Sequence, residues 1–217
     1  MNKKVLTFDE YTKQVFMNRN TPEILAIAKK LYDGYVLSID DEDFFEPYEY
    51  KSGSDDSSIY EQNLRDIFNL SAIRENQIYL LIKPAFEPES LLIITRNLTH
   101  YTATYKKLIE NYWYVFYADN SITSVAHELL ERTLGNKIGE NIFSLLNKTI
   151  IEARPPKGNR FVIDGVKYII SKLVDDKLIS VCKSSPSEDS DSGQVISIIT
   201  QFIETIQTSD DSSLYNP

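Results

Sequence analysis

Cysteine occurs once in the 217 residues, at Cys182, and histidine twice, at His100 and His127. A single thiol excludes an intrachain disulfide framework, and so few soft ligands exclude a cysteine-rich zinc module. Glycine is scarce, at seven residues. No phosphate-cradling P-loop, dinucleotide-binding glycine pattern or nucleophile elbow is present. A cofactor-dependent enzyme is therefore disfavoured, and no cofactor is expected. No stretch approaches the ~20 consecutive apolar residues that cross a bilayer. The two lysines of MNKKVLTFDEY are not followed by an apolar core of leader length. The expectation is a cytoplasmic protein with no membrane contact, in which the sequons at Asn69, Asn97 and Asn147 carry no weight.

Basic charge is in short supply too, but unevenly so. The chain carries a net charge of −9. Residues 38–60 hold eight carboxylates against one base, Lys51, and residues 184–217 hold six carboxylates and no base. The rest of the chain is slightly positive. A near-neutral body with two acidic segments argues against a general nucleic-acid-binding face and in favour of a basic protein partner.

The first acidic segment, SIDDEDFFEPYEYKSGSDDSSIY, interleaves rings with its charges. Solvated acidic tracts are poor in aromatics, whereas Phe44, Phe45, Tyr48 and Tyr50 fall within seven residues. Rings inside a carboxylate rim combine desolvated contact with electrostatic steering. Asp40, Asp41, Glu42, Asp43, Phe44, Phe45, Glu46, Tyr48, Glu49 and Tyr50 are accordingly expected to form a docking surface for a cationic protein. An EF-hand loop is excluded: two phenylalanines follow Asp41-Glu42-Asp43, and no glycine precedes Gly53.

Apolar spacing and cap signals predict helices over about 8–17, 22–33, 58–70, 120–134, 139–153 and 195–206. Strands are predicted at 35–39, 77–82, 91–95, 100–108 and 112–118, the last on the β-prone run YWYVFYA. A hairpin over 160–163 and 166–171 turns at Asp164-Gly165, and Asp175-Asp176 turns the chain again into 178–181. Short links imply antiparallel meanders. The fold class is α+β, with about 6–7 antiparallel strands in two meanders and helices on one side of the sheet. One domain is expected over 1–207, with a weak internal boundary at 155–158 and a disordered acidic tail over 208–217. Cys182, in the apolar run LISVCKS, reads as an inert buried thiol.

One motif points to chemistry. His127-Glu128-Leu129-Leu130-Glu131, inside the predicted helix 120–134, is similar to the zinc signature HExxH with Glu131 in place of the second histidine. His127 and Glu131 would ligate one turn apart, with His100 as a third ligand, giving an atypical metal-dependent hydrolase. The plainer account is an amphipathic helix with an i,i+4 Glu128–Arg132 pair, and on balance no metal is expected. The favoured function is a non-catalytic acidic protein-binding module of the bacterial immunity type, neutralising a basic toxin by occlusion. An adaptor with an unrelated partner is a further alternative. On the aromatic run, one face is expected to be core and the other a candidate partner surface.

Overall fold

The computed structural model describes Lys29 and residues 44–155 and 165–208. The predicted helix at 8–17, the strand at 35–39, the first arm of the 160–163 hairpin and residues 209–217 lie outside the described residues. So does the helix at 22–33 apart from Lys29, which is helical.

In chain order the elements are β1 (Glu46–Pro47), α1 (Asp56–Ile67), a 3₁₀ turn (Leu70–Ala72), β2 (Gln77–Pro84), β3 (Ser90–Arg96), β4 (Tyr101–Leu108), α2 (Tyr112–Ala118), β5 (His127–Leu134), α3 (Asn136–Ile151), β6 (Val166–Val174), β7 (Lys177–Ser184) and α4 (Asp191–Thr208). The strands form one antiparallel sheet in the order β1-β7-β6-β2-β3-β4-β5. The two meanders are thus continuous, joined where β6 lies against β2 from Ile78↔Lys172 to Pro84↔Val166. The α+β class and the single domain hold. Asp175 and Asp176 close the β6–β7 hairpin with φ of 47° and 59°, a left-handed pair that Asp tolerates.

Helices cover both faces of the sheet, not one. On the first face, Ile142, Phe143 and Leu146 of α3 and Ile196, Ile199 and Ile206 of α4 pack on Ile78, Leu80, Leu92, Ala103 and Ile170. On the second, Tyr60 and Leu64 of α1 and Tyr112 and Phe116 of α2 pack on Tyr79, Leu81, Leu91 and Ile169. The central strands are apolar on both sides, as QIYLLI shows, and such a strand needs two covers.

Two elements differ in kind from the sequence expectation. Tyr112–Ala118 is a helix, not a strand. Asn111 caps it, accepting from the Tyr114 amide at 3.2 Å. The carboxylate of Glu89 accepts from the Tyr112 amide at 2.8 Å. With Tyr112 and Phe116 buried four residues apart, tertiary capping overrides an aromatic β-propensity that is itself context-dependent. Conversely, His127–Leu134 is a strand, paired with β4 from Tyr101↔Leu134 to Leu108↔His127. Its leucines at 130 and 134 suit either a helix face or one side of a strand, and pairing with β4 decides. After it Gly139 lies against the Tyr101 ring, where a Cβ would overlap the aromatic carbons.

Candidate functional site

Phe44–Tyr50 straps the β7 edge of the sheet. Glu46 and Pro47 pair with Cys182 and Val181, and the Tyr48 amide donates to the Ser180 carbonyl at 2.9 Å. Alternation along the extended strap sends Phe45 to the first face and Tyr48 and Tyr50 to the second. Phe45 is 3% exposed and belongs to the core. That corrects its expected place on a docking surface: its burial serves the fold. Phe44 and the two tyrosines are half-buried. The Arg154 guanidinium lies 4.0 Å over the Phe44 ring, and the Lys183 ammonium donates to the Phe44 carbonyl at 2.9 Å. Glu46 is half-buried and Glu49 exposed. Asp40, Asp41, Glu42 and Asp43 lie outside the described residues.

Beneath the strap is a buried polar network. Glu61, on α1, accepts from the Tyr48 hydroxyl at 2.7 Å, from Lys83 Nζ at 3.0 Å and from the Lys51 amide at 3.1 Å. Burial opposes ionisation of Glu61, but Lys83 and these donors outweigh it and hold the carboxyl below the usual range. Burial likewise pushes the Lys83 ammonium down, against the pull of Glu61. The Lys83 ammonium also faces the Tyr60 ring at 4.9 Å. Tyr60 donates its hydroxyl to the fully buried Glu89 at 2.6 Å, and burial followed by Glu89 raises its phenol pKa. Glu89 caps α2, so the network connects the strap to the aromatic helix. The only sequence signal for it is a lone charge at the edge of an apolar run: Lys83 after QIYLLI, Glu89 before SLLIIT.

On the outer side of α2, Trp113, Tyr114 and Tyr117 are 40%, 53% and 49% exposed. Trp113 and Tyr117 have ring centroids 4.4 Å apart, and Trp113 meets the buried Tyr60 edge-on at 5.0 Å. A shallow hollow beside them is lined by Asp56 and by residues 116–120, including Tyr117 and Asp119. The phenol of Tyr117 is held above its ordinary pKa by partial burial and then by Asp56 and Asp55. Asp55 caps α1, accepting from the Ser58 amide and hydroxyl at 3.1 and 2.6 Å, and these bonds lower its pKa. Asp119 is similarly lowered by Ser121. Tyr117, tilted against Trp113, therefore stands beside three carboxylates, two of them from the end of the first acidic segment. An acid–aromatic surface is present, but it is built by Asp55, Asp56 and α2. The exposed face of YWYVFYA follows helical spacing, so it includes Tyr114, which strand alternation would have buried.

The three metal-ligand candidates are not brought together. In a strand, His127 and Glu131 are separated by roughly 13 Å, at ~3.3 Å per residue, not one helical turn. His100 precedes β4, whose far end pairs with His127. The two histidines are thus roughly 25 Å apart. His100 instead contacts Asn97 and Thr99 through its ring nitrogens at 3.2 and 3.1 Å. Among the described residues no three His, Cys, Asp or Glu side chains converge on one point. Cys182 is half-buried, and burial raises its thiol pKa. Among the described residues no helix is long and apolar enough to cross a membrane.

Comparison with known proteins leaves the function to be argued from this geometry: no protein-family model, curated protein or solved structure matches the chain.

Proposed function

We propose that the protein is a non-catalytic acidic binding module that receives a basic protein partner on the α2 face. The observation that carries this reading is the set of exposed rings on α2, Trp113, Tyr114 and Tyr117, with Tyr117 beside Asp55, Asp56 and Asp119. Trp and Tyr are the side chains most often found as interface anchors, and carboxylates around them suit Lys and Arg on a partner. The acids upstream, Asp40–Asp43, Glu46 and Glu49, add long-range attraction that speeds encounter. The specific form we favour is a cytoplasmic bacterial immunity protein that occludes a basic toxin, a task that needs steering and a slow off-rate but no reaction.

The test is recovery of the partner from the native host by affinity capture, followed by binding measurements with two variants. Reversing Asp40, Asp41, Asp43 and Glu46 to Lys is expected to slow association and flatten its salt dependence. Replacing Trp113 and Tyr117 by Ala is expected to speed dissociation. Wild-type affinity at low salt in both variants overturns the reading. Protection of cells from a co-expressed toxin separates the immunity role from that of an adaptor with another partner.

A further inference from the structure

The network beneath the strap holds two buried carboxylates, Glu61 and Glu89, and one ammonium, Lys83. Lys83 Nζ donates to Glu61 Oε1 at 3.0 Å. Both oxygens of Glu89 accept from neutral donors, the Tyr60 hydroxyl at 2.6 Å and the Tyr112 amide at 2.8 Å. The Lys83 ammonium also feels the charge of Glu89, and Lys167, lying over Tyr48, repels it from the strap side. Lys83 is thus the counter-ion of two acids, bonded to one and attracted by the other.

Tyr60 is the wall between this network and α2. Its ring faces the Lys83 ammonium at 4.9 Å and stacks on Tyr112 with centroids 5.6 Å apart. It also meets Trp113 and Phe116 edge-on at 5.0 and 5.9 Å. The helix it supports runs only from Tyr112 to Ala118, on a strand-prone sequence. A helix that short does not persist without tertiary restraint. Its first turn is held by Asn111 and by the carboxylate of Glu89.

We propose that sharing of Lys83 between Glu61 and Glu89 makes the seating of the strap and the helical form of α2 one cooperative event. The strap gives Glu61 two donors, the Tyr48 hydroxyl and the Lys51 amide. With both in place Glu61 draws less on Lys83, and the ammonium also offsets the buried charge of Glu89. With the strap lifted, Glu61 loses both donors and takes Lys83 more fully. Glu89 is then a buried carboxylate without compensation, which is strongly unfavourable. It turns outward or takes up a proton, and the Tyr112 amide loses its cap. The first turn of α2 frays, and Trp113, Tyr114 and Tyr117 lose their fixed arrangement. The two states differ in the place of one ammonium, and both ends of the network bias it. For the binding reading above, on whose site this rests, the consequence is regulation: a partner that holds the strap in place also orders the rings that it meets on α2.

The free protein carries a reporter at each end. Its only tryptophan lies on α2, and its only cysteine, Cys182, pairs with Glu46 of the strap. Tyr48→Phe removes one strap donor and keeps the ring. It is expected to shift Trp113 emission to the red and to increase its quenching by acrylamide. Ile206→Val, a small loss in the core of the opposite face, is expected to change neither. Linkage requires the converse effect. Glu89→Gln is expected to speed labelling of Cys182 by a thiol reagent under native conditions severalfold, whereas Ile206→Val is not. Within Glu89→Gln, adding Tyr48→Phe should no longer move the Trp113 signal. Should Glu89→Gln fail to fold, judged by near-UV circular dichroism, the comparison of Tyr48→Phe with Ile206→Val decides alone. The proposal is overturned by an unchanged Trp113 signal in Tyr48→Phe, or by an equal change in Ile206→Val. It is also overturned by wild-type Cys182 labelling in folded Glu89→Gln, or by a Trp113 response to Tyr48→Phe that persists there. None of these measurements involves the partner, so their failure leaves the binding reading to its own capture experiment.

Discussion

Lys83 Nζ and Glu61 Oε1 lie 3.0 Å apart with side-chain exposures of 13% and 7%, and the Tyr48 hydroxyl shares the same carboxylate oxygen. The pair holds the strap to α1 and to the end of β2. Removing one charge leaves the other buried and uncompensated, whereas replacing both can be close to neutral. Glu61→Gln is expected to destabilise the fold by roughly 3–5 kcal/mol, and Glu61→Gln with Lys83→Met by much less. Urea unfolding of the two single variants and the double variant, analysed as a cycle, measures the coupling.

The same pair sets a response to acid. The folded Glu61 carboxyl titrates below its ordinary 4.5. Its contribution to stability is thus complete above that value and lost as pH falls through the lower, folded one. Wild type should lose stability on acidification below about pH 4.5. Glu61→Gln should lose less over the same interval. Chemical denaturation at a series of acidic pH values reads the difference in slope.

Phe45 and Tyr48 stand three residues apart and make different contributions. Phe45→Ala empties a site in the core and is expected to cost about 3–5 kcal/mol. Tyr48→Phe removes one donor from Glu61 but keeps the ring beneath the Lys167 ammonium, 4.1 Å away, and is expected to cost about 1 kcal/mol. Thermal unfolding ranks them, and an equal effect of the two would contradict the division of the strap between the faces.

On α2 the prediction runs the other way. Tyr114→Ala and Tyr117→Ala alter exposed rings and should change stability by less than about 1 kcal/mol. Tyr112→Ala and Phe116→Ala, on the buried side of the same helix, should cost roughly 3–5 kcal/mol. This contrast, read by unfolding alone, checks the helical arrangement independently of any partner.

Cys182 is expected to react slowly with a thiol reagent in the native state and rapidly in denaturant, because burial raises its pKa and restricts access. A fast native reaction would place the strap off the β7 edge.

Much of the architecture is written in local patterns. Near-continuous apolar runs at QIYLLI and SLLIIT, the alternation of Tyr101, Ala103 and Tyr105, and the one-sided faces of α3 and α4 each identify an element without reference to the rest. The Asp175-Asp176 turn is equally local, since it rests on the tolerance of Asp for positive φ. The same apolar runs also imply two covered faces, although the order of elements along the chain suggested helices on one. Pattern fails where two periods fit the same residues. In YWYVFYA the intrinsic preference is for a strand, and a buried carboxylate from Glu89 makes it a helix. In HELLERTL the leucine spacing suits a helix, and the β4 ladder makes it a strand.

The candidate site divides along the same line. Composition and charge order established that acids and rings cluster, that no glycine-built chemical signature is present, and that histidines are too few for a rich metal site. Which rings are exposed and which are core was decided by tertiary structure, because exposure depends on what packs opposite a side chain. Phe45 is drawn inward by the alternation of a strap pairing with β7. Trp113, Tyr114 and Tyr117 are turned outward by a cap whose donor and acceptor lie more than twenty residues apart. Local preferences of a few tenths of a kcal/mol are readable in the chain, but long-range burial and buried hydrogen bonds contribute more and overrule them wherever the two conflict.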